Sequence, residues 1–395
     1  MGLHHDTLSS LNLPGSLSGR LKVLHRHLKL HRPFISRIAV ALYDNATDML
    51  RTFVYSSDVR SPLTNYQARL SDCTSLSAML EKGETRVIND LAVLADSRHI
   101  HTKIIHDAGY RSSYTVPMIW EGNVLGFVFF NANEPNIFGK RLLSELDVIA
   151  HIVTLLIYHE RSHFRTLLAT IKSAWDMTNS RDSETGSHIA RMSRYAQLIA
   201  LDVAKAHGLD DQYVEYVYLF APLHDIGKIK IPDSILLKRG NLTAEEFEVM
   251  KTHTRVGAEM IDTLLRNFGL NELTHVSNLR NIALYHHEAW NGRGYPEGLT
   301  GQQIPLEARI VAVADVFDAL TSKRPYKDAW TNDAAFEELR RLADVRLDRE
   351  CVDALIRHRS QVELIQRRYA EDLFGSPVHA SIHGGPPKAS FALHG

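Results

Sequence analysis

Two adjacent histidines, His286 and His287, lead into the segment Asn291-Gly292-Arg293-Gly294-Tyr295-Pro296. Imidazole is the commonest metal ligand among protein side chains. The glycines and the proline cannot continue a helix, so they predict a tight loop beside the two rings. Adjacent histidines are also common on protein surfaces, so the pair alone is weak support for a metal site. The prediction depends on whether other donors accompany it.

Two carboxylates occur in strongly apolar surroundings. His224 and Asp225 lie within the run Leu223–Ile229, and Asp315 lies within the apolar helical pattern Arg309–Phe317. A charged carboxylate in such a run is costly unless it is paired or coordinates an ion. Asp315 alone could be a structural ion-pair partner. Together with several histidines, the two carboxylates favour a metal site.

Four further residues complete the candidate set. Glu184 and His188 are four residues apart, so a helix would present both on one face. His253 precedes an apolar helix, where a lone histidine is more often a surface or helix-end residue. Lys228 lies one helical turn after His224, a suitable position for a cation directed at a phosphate.

The composition predicts an ordinary globular protein. The chain has 395 residues, which suggests two or three domains, with 44% apolar residues, 23% charged residues and a net charge of −1. This charge gives no electrostatic case for binding nucleic acid or an anionic membrane. Cys73 and Cys351 are too few and too far apart for a disulfide framework. We find no signal peptide and no apolar run of membrane-spanning length, and therefore expect a cytoplasmic protein without a membrane span.

Residues 1–140 predict an α+β domain. Ser36–Tyr43 and Met49–Tyr55 form one strand pair across the turn Asp44–Asp48, and Tyr114–Trp120 and Val124–Asn131 form a second. The second hairpin, with Val124-Leu125-Gly126-Phe127 followed by a long helix, resembles that of a GAF domain, a small sensory module. The resemblance implies a pocket for an unknown small ligand or a structural dimerisation module, and these alternatives stay open.

Residues 141–178 predict a long connecting helix, because the segment lacks glycine and proline. Its apolar residues alternate at spacings of four and three, as in a coiled-coil seam. The seam comprises Leu142, Leu146, Ile149, Val153 and Leu156, and resumes at Leu167, Ile171 and Ala174 after Glu160 and His163. We prefer a helix that also pairs with a second subunit, giving a homodimer. The alternative is a helix packed on its own domain.

Residues 165–370 closely resemble an HD-GYP domain. The resemblance rests on His224-Asp225-Ile226-Gly227-Lys228, on the His286–Pro296 stretch, on Pro305–Ile310 and on Asp315–Thr321. It implies an all-α phosphodiesterase domain of the HD superfamily that hydrolyses cyclic dinucleotides, chiefly cyclic di-GMP. One departure is Asn291, where the family most often has Asp. That position is not a metal ligand in the family pattern, so only a hydrogen bond around the site is in doubt. Residues 371–395 predict a disordered tail.

The resemblance also implies roles for individual residues. The implied metal ligands are Glu184, His188, His224, Asp225, His253, His286, His287 and Asp315. These would hold two or three ions. The Glu184 position favours three, and the absence of thiolates favours iron first and manganese second. His224, Asp225 and Lys228 would be catalytic. The implied substrate-binding residues are Lys228, Arg293, Tyr295, Asp318, Arg324 and Lys327. For Tyr295 a packing role is equally open, Asp318 could instead orient a ligand, and Arg324 and Lys327 could belong to a solvated basic loop.

These observations predict a GAF-like sensor joined to a metal-dependent phosphodiesterase that converts cyclic di-GMP to the linear dinucleotide pGpG, to GMP, or to both. Divalent ions lower the pKa of bound water, which provides a nucleophile at neutral pH. One alternative is a phosphodiesterase for 3',3'-cyclic GMP-AMP. Another is a receptor that binds a cyclic dinucleotide without cutting it.

Overall fold

The computed structural model describes residues 6–13, 15–59, 61–94, 100–178, 186–238, 240–268, 275–323 and 328–370. These residues divide into two compact units. The N-terminal unit ends at His163 and the C-terminal unit begins at Phe164.

The N-terminal unit combines helices with one antiparallel sheet. Its elements are α1 (Leu17–His31), β1 (Ile35–Asp44), β2 (Met49–Ser57), β3 (Gln67–Arg69), α2 (Thr74–Lys82), β4 (Arg86–Ile88), α3 (Ile100–Asp107), β5 (Ser112–Trp120), β6 (Asn123–Ala132) and the long helix α4 (Lys140–Thr178). Both predicted hairpins are present, as β1–β2 and β5–β6. The order of the six strands is β3-β2-β1-β6-β5-β4. Gly126 allows β6 to approach β1, because a Cβ there would overlap the carbonyl oxygen of Ala41.

One apolar core of this unit joins the sheet to α1 and α4. Alternate strand residues such as Val40, Val128 and Phe130 pack with Leu24 of α1 and Leu146 of α4. All five are essentially inaccessible to solvent. This alternation is the strand period of two, which directs successive side chains to opposite faces. The other face of the sheet is therefore lined by a different set of side chains.

The coiled-coil interpretation of α4 is wrong for the first part of the helix. Leu142, Leu146, Ile149 and Val153 are buried in the core of their own unit, and Leu156 is partly buried against it. The alternation of four and three also describes a helix that packs on a sheet, because both arrangements need one apolar stripe. The later positions of the predicted seam lie outside the described side chains.

One described segment, Lys140–Ser162, is long and apolar enough to cross a membrane by length and composition, with a mean hydropathy of 1.5. The core helix of a folded domain passes the same test. Leu146, Ile149 and Val153 of this segment pack on the sheet, and 33% of its most apolar stretch is buried.

The described residues of the C-terminal unit form helices joined by turns and loops, with no strand among them. Its helices are α5 (Gly186–His207), α6 (Asp211–Phe220), α7 (Asp233–Leu236), α8 (Ala244–Lys251), α9 (His253–Asn267), α10 (Val276–Tyr285), α11 (Leu306–Thr321), α12 (Asn332–Leu342), α13 (Arg349–Arg357) and α14 (Arg359–Arg368). Helix α5 packs against α6, α11 and α13. Tyr195 of α5 meets Phe317 of α11 edge to face, and Phe317 stacks on Phe336 of α12. This aromatic core fixes α5 and α11, which carry the candidate ligands His188 and Asp315.

The buried stripe of α4 gives a test of its packing. Leu146→Ala should lower the free energy of unfolding by about 2–5 kcal/mol, because it leaves a cavity in the core. Val148 is 59% exposed on the same helix, so Val148→Ala should change stability by no more than about 0.5 kcal/mol. Urea unfolding and sedimentation of both variants would measure this. A Leu146→Ala chain of near-normal stability that loses a dimer would restore the seam interpretation.

Buried His25 predicts acid sensitivity of the N-terminal unit. Its Nε2 donates to the carbonyl of Ile35 at 2.9 Å, and its Nδ1 lies 2.8 Å from Ser56 Oγ. Burial lowers the pKa of His25 below its usual 6.5, and nearby Asp58 opposes this only in part. The unfolded chain therefore binds the proton more readily, and stability should fall as the pH drops below about 6.5. His25→Gln should flatten this decline in denaturant titrations between pH 7 and 5. An equally steep decline in the variant would assign it to other groups.

Candidate metal centre

The carboxylate of Asp225 lies at the centre of the predicted donors. Asp225 is buried at a turn between two short 3-10 segments that follow α6. Its Oδ1 lies 3.2 Å from His253 Nε2 and 3.6 Å from His286 Nε2. Its Oδ2 lies 3.0 Å from His224 Nε2 and 2.7 Å from Lys228 Nζ. The two oxygens therefore face two different sets of neighbours.

The backbone fixes which nitrogen each of these histidines presents. Nδ1 of His224 donates to the carbonyl of Ala221 at 2.9 Å, and Nδ1 of His253 donates to that of Met250 at 2.7 Å. Nδ1 of His286 faces the carbonyl of Ile282 at 3.0 Å. A carbonyl can only accept, so the proton sits on Nδ1 and the lone pair of a neutral ring sits on Nε2. All three Nε2 atoms thus point to Asp225 in the form that binds a metal.

The donors form two adjacent groups. Asp225, His253, His286 and His287 make one, and His188, His224 and Asp315 make the other. Within each group the possible ligand atoms all lie within 4.8 Å of one another. The neighbouring residues His224 and Asp225 connect the groups. Seven of the eight predicted ligands are thus brought together, and the eighth, Glu184, lies outside the described residues.

A buried ion-pair network orients His188. Its Nδ1 donates to Asp318 Oδ2 at 2.7 Å, and Arg191 Nε donates to Asp318 Oδ1 at 2.8 Å. Asp318 has no exposed surface, so its carboxylate does not contact substrate. Of the two predicted roles for Asp318, the structure contradicts substrate binding and places it as a residue that orients a ligand. Arg191 was not predicted, and its position one helical turn after His188 was the available signal.

Burial and charge set the protonation of the centre. Burial alone raises the pKa of Asp225, but Lys228 and His224 outweigh it and hold that pKa well below its usual range. Burial lowers the pKa of His253 to about 4. Burial, followed by the charge of His286, lowers the pKa of His287 well below its usual value. Near neutral pH Asp225 is therefore ionised and His253 and His287 are neutral, which is the protonation state of metal ligands.

Gly227 explains how the turn of Asp225 reaches α9. A Cβ at Gly227 would overlap the carbonyl oxygen of His253 and lie 2.6 Å from the nitrogen of Gly257. Only glycine allows these two backbones to approach so closely. The contact brings Asp225 beside His253, which is the first residue of α9.

The loop after His287 is held by Glu288, a residue that we did not predict. Glu288 is buried, and its Oε1 accepts from the backbone nitrogens of Glu297 at 2.7 Å and Gly298 at 3.1 Å. Its Oε2 accepts from that of Leu299 at 2.9 Å. Gly294 packs on the same segment, since a Cβ there would overlap the nitrogen of Ala289. The position of Glu288 directly after the histidine pair was the signal available in the sequence.

The remaining predicted substrate residues occupy different environments. Tyr295 packs its ring 4.8 Å from that of His287, and burial raises its pKa. Arg293 is exposed on the loop. Asn291 Oδ1 accepts from the nitrogen of Arg293 at 3.0 Å, a bond that an aspartate oxygen would also accept, so the departure at Asn291 leaves this turn intact. Arg324 and Lys327 lie outside the described residues.

The centre fits divalent metal ions. Nε2 of His253 and Nε2 of His286 are buried and form no hydrogen bond within the described part of the chain, although both lie near Asp225. Buried polar atoms are normally satisfied, so several convergent donors without protons indicate a cation-binding site. A set of imidazole and carboxylate donors without thiolate suits a transition metal such as iron or manganese.

Glu288 allows a test of the loop. Glu288→Gln should cost about 1–3 kcal/mol of stability, because an amide nitrogen cannot accept from Leu299 and leaves a buried donor unsatisfied. We expect bound metal to be unchanged, since Glu288 is not a donor. Thermal unfolding and metal analysis would measure both. Glu297→Gln is the matched control, because Glu297 makes only a surface ion pair with Arg255 at 2.9 Å. Equal stability of the two variants would show that Glu288 does not hold the loop.

Comparison with known proteins agrees with this geometry. Residues 176–351 match the model of the HD domain family. The cyclic di-GMP phosphodiesterase response regulator RpfG of Xanthomonas campestris is 51% identical over 185 residues, which is 47% of this chain and 46% of RpfG. A cyclic di-GMP phosphodiesterase of Thermotoga maritima is 40% identical over half of each chain. The 3'3'-cGAMP-specific phosphodiesterase 2 of Vibrio cholerae is 40% identical over 45% of this chain and 32% of its own length. The chain thus spans half or less of the length of these relatives.

Solved structures similar to this chain include two GAF domains. The GAF domain of an Acinetobacter phosphoenolpyruvate-protein phosphotransferase covers 40% of this chain and 90% of its own, at 14% identity and a TM-score of 0.31. The phycocyanobilin-bound GAF domain of a cyanobacterial phytochrome covers 40% and 92%, at 14% identity and a TM-score of 0.33. A likeness of this size carries no argument about function. The family assignment rests on the helical unit: residues 176–351 form an HD domain and belong to that family.

Proposed function

We propose that this chain is a metal-dependent phosphodiesterase that hydrolyses cyclic di-GMP to pGpG, to GMP, or to both, in second-messenger signalling. The observation that carries the proposal is the convergence of Asp225, five imidazoles and Asp315 in two adjacent donor groups. Such paired groups are suited to in-line displacement at a phosphodiester, in which the attacking and the leaving oxygen both need stabilisation. The names of the relatives support the choice of substrate.

Each donor group has a separate task in this proposal. His253, His286 and His287 would hold one ion with Asp225, and His188, His224 and Asp315 would hold another. The ions would supply Lewis acidity toward a phosphoryl oxygen and toward water. Asp318 keeps His188 oriented through its bond to Nδ1, as residues around metal sites commonly do.

Cationic side chains beside the centre would bind the substrate. Lys228 Nζ lies 2.7 Å from Asp225 and would contact a phosphate as a point charge. Arg293 is exposed on the adjoining loop, which supports a contact with the outer part of the dinucleotide. Arg324 and Lys327 remain proposed contacts to the second phosphate or to a guanine. Tyr295 would act mainly by packing against His287.

Iron is our first choice of metal and manganese our second, because the donors are nitrogen and oxygen without thiolate. The described donors account for two ions. A third ion would require Glu184. We therefore propose two ions, and three if Glu184 joins the His188 group.

A specific observation favours one alternative substrate. A relative that is 40% identical over 179 residues is named as specific for 3'3'-cGAMP. The donor groups would act on either cyclic dinucleotide, because they address the phosphodiester and not the bases. A receptor that has lost catalysis is less favoured, since the seven described donors of the proposed set converge in two adjacent groups.

A homodimer through α4 remains part of the proposal, on a different face from the predicted seam. Val148 and Leu155 are 59% and 48% exposed and lie seven residues apart, so they share one side of the helix. This side is not used by the core of the N-terminal unit. It would be the surface available to a second copy.

The test is turnover by protein purified without oxygen and loaded with iron(II) or manganese(II). Cyclic di-GMP and 3',3'-cyclic GMP-AMP would be supplied separately, products resolved by chromatography, and metal counted on the same preparation. His224→Ala and Asp225→Ala should each lower kcat/KM at least ~100-fold, because loss of a ligand should cost no less than loss of a residue that supports one. Both variants should stay helical by circular dichroism.

His207→Ala is the control, because His207 makes only a surface contact to Glu350 at 2.9 Å. It should retain full turnover and full metal content. Normal turnover by either ligand variant would refute the metal assignment. A fully loaded protein that binds a dinucleotide but releases no product would instead identify a receptor.

A further inference from the structure

The N-terminal unit contains a partly open cavity of about 90 Å³ against the face of the sheet opposite α1 and α4. Its lining is mostly apolar, with residues such as Leu50, Leu76 and Ile105. It also includes Arg37 and Arg86, from strands at different positions in the sheet. A guanidinium without a carboxylate partner in the described residues, such as that of Arg86, is unusual beside a small apolar cavity, because charged side chains are rarely buried unless they are paired.

A row of polar side chains crosses the sheet under this cavity. Arg37 of β1 is paired in register with Asn131 of β6, which is paired with Ser113 of β5. Arg37 Nη1 donates to Asn131 Oδ1 at 2.7 Å, and Asn131 Nδ2 donates to Ser113 Oγ at 3.1 Å. All three are at most 5% exposed and line the cavity. The network holds the guanidinium of Arg37 in a fixed position.

Arg86 approaches from the edge strand β4. Its Nη1 lies 2.5 Å from Ser75 Oγ, and its Nη2 donates to Thr115 Oγ1 at 3.2 Å. Its Nε is buried and has no hydrogen-bond partner in the described ranges of the chain. Both observed partners are neutral hydroxyls, and no described carboxylate forms an ion pair with Arg86. Burial lowers the pKa of Arg86 to about 10, which reflects the cost of this charge.

The opposite face of the same strands shows what stability alone requires. There Val40, Val116 and Val128 form an apolar core with α1 and α4. On the cavity face, Arg37 and Asn131 occupy buried positions where apolar side chains would pack without any loss of hydration. Burying these polar groups costs free energy because they lose their contacts with water. A negative charge in the cavity would offset this cost, because guanidinium binds carboxylate through paired hydrogen bonds.

We propose that this cavity binds a small organic carboxylate, with its carboxylate at Arg86 and Arg37 and its apolar body against Leu50, Leu76 and Ile105. The mostly apolar lining favours an acid with a short branched or ring-shaped body over inorganic phosphate. The proposal concerns the N-terminal unit and does not depend on the phosphodiesterase assignment. Cys73 lines the same cavity, but burial raises the pKa of its thiol, which argues against a reactive thiolate there.

The experiment uses the full chain and ligand-observed saturation-transfer NMR. Benzoate and 3-methylbutanoate are the probes, benzamide and 3-methylbutanamide are neutral counterparts of the same shape, and inorganic phosphate is a separate competitor. We expect the carboxylates to bind and the amides to bind at least ~10-fold more weakly, because only the acids offer a charge to the guanidinium. Arg86→Gln should weaken carboxylate binding at least ~10-fold, and Arg86→Lys should weaken it less.

Two further variants keep the test independent of folding defects. Arg69→Gln changes an exposed arginine of the same sheet and should leave binding unchanged. Ala68→Leu would fill part of the cavity without removing a hydrogen bond, and it should also abolish binding. Three results would each overturn the proposal: no binding of either acid, equal binding of acid and amide, or unchanged binding in Arg86→Gln. If millimolar phosphate displaced one acid as strongly as the other acid does, the apolar lining would not contribute to ligand selection.

Discussion

The helical unit depends on keeping one ionised carboxylate buried. Removing Asp225 from water is unfavourable, and the surrounding side chains must compensate for it. Lys228 does so from 2.7 Å. The three imidazole Nε2 atoms at 3.0–3.6 Å cannot donate to the carboxylate while Nδ1 holds the proton, so a protein of this design is completed by cations at the same place. The turns and helices that carry Lys228, His224, His253 and His286 place these side chains around the one carboxylate of Asp225.

That support comes largely from the backbone. Carbonyls at the ends of helical turns hold Nδ1 of His224, His253 and His286, which leaves the three Nε2 atoms directed at Asp225. The absence of a side chain at Gly227 lets the Asp225 turn contact α9. Glu288 uses its own buried carboxylate to fix the loop that packs Tyr295 on His287. The donors are therefore held in place by hydrogen bonds and packing within the protein.

The two faces of the N-terminal sheet differ in whether their buried side chains are apolar or polar. One face presents apolar residues such as Val40, Val116 and Val128 to the core, and its role is packing. The other carries Arg37 and Asn131 at buried positions, where they cost stability unless they serve another purpose. Strand alternation makes this division possible, because neighbouring residues of one strand contribute to opposite faces.

The sequence by itself determined the chemistry of the site and most local elements. His224-Asp225, His286-His287 and Asp315 could be recognised because residue type and apolar surroundings are local properties, and the two hairpins followed from turn residues between strand patterns. Tertiary structure decided what local pattern leaves open. The apolar stripe of α4 predicts burial but does not name the partner, and packing placed Leu146 against its own sheet. The sequence left Asp318 open between substrate binding and orienting a ligand, and packing places it against His188, 130 residues away. Arg37 likewise meets Asn131 across 94 residues. Contacts over such distances depend on how the elements pack, which residue spacing along the chain does not encode.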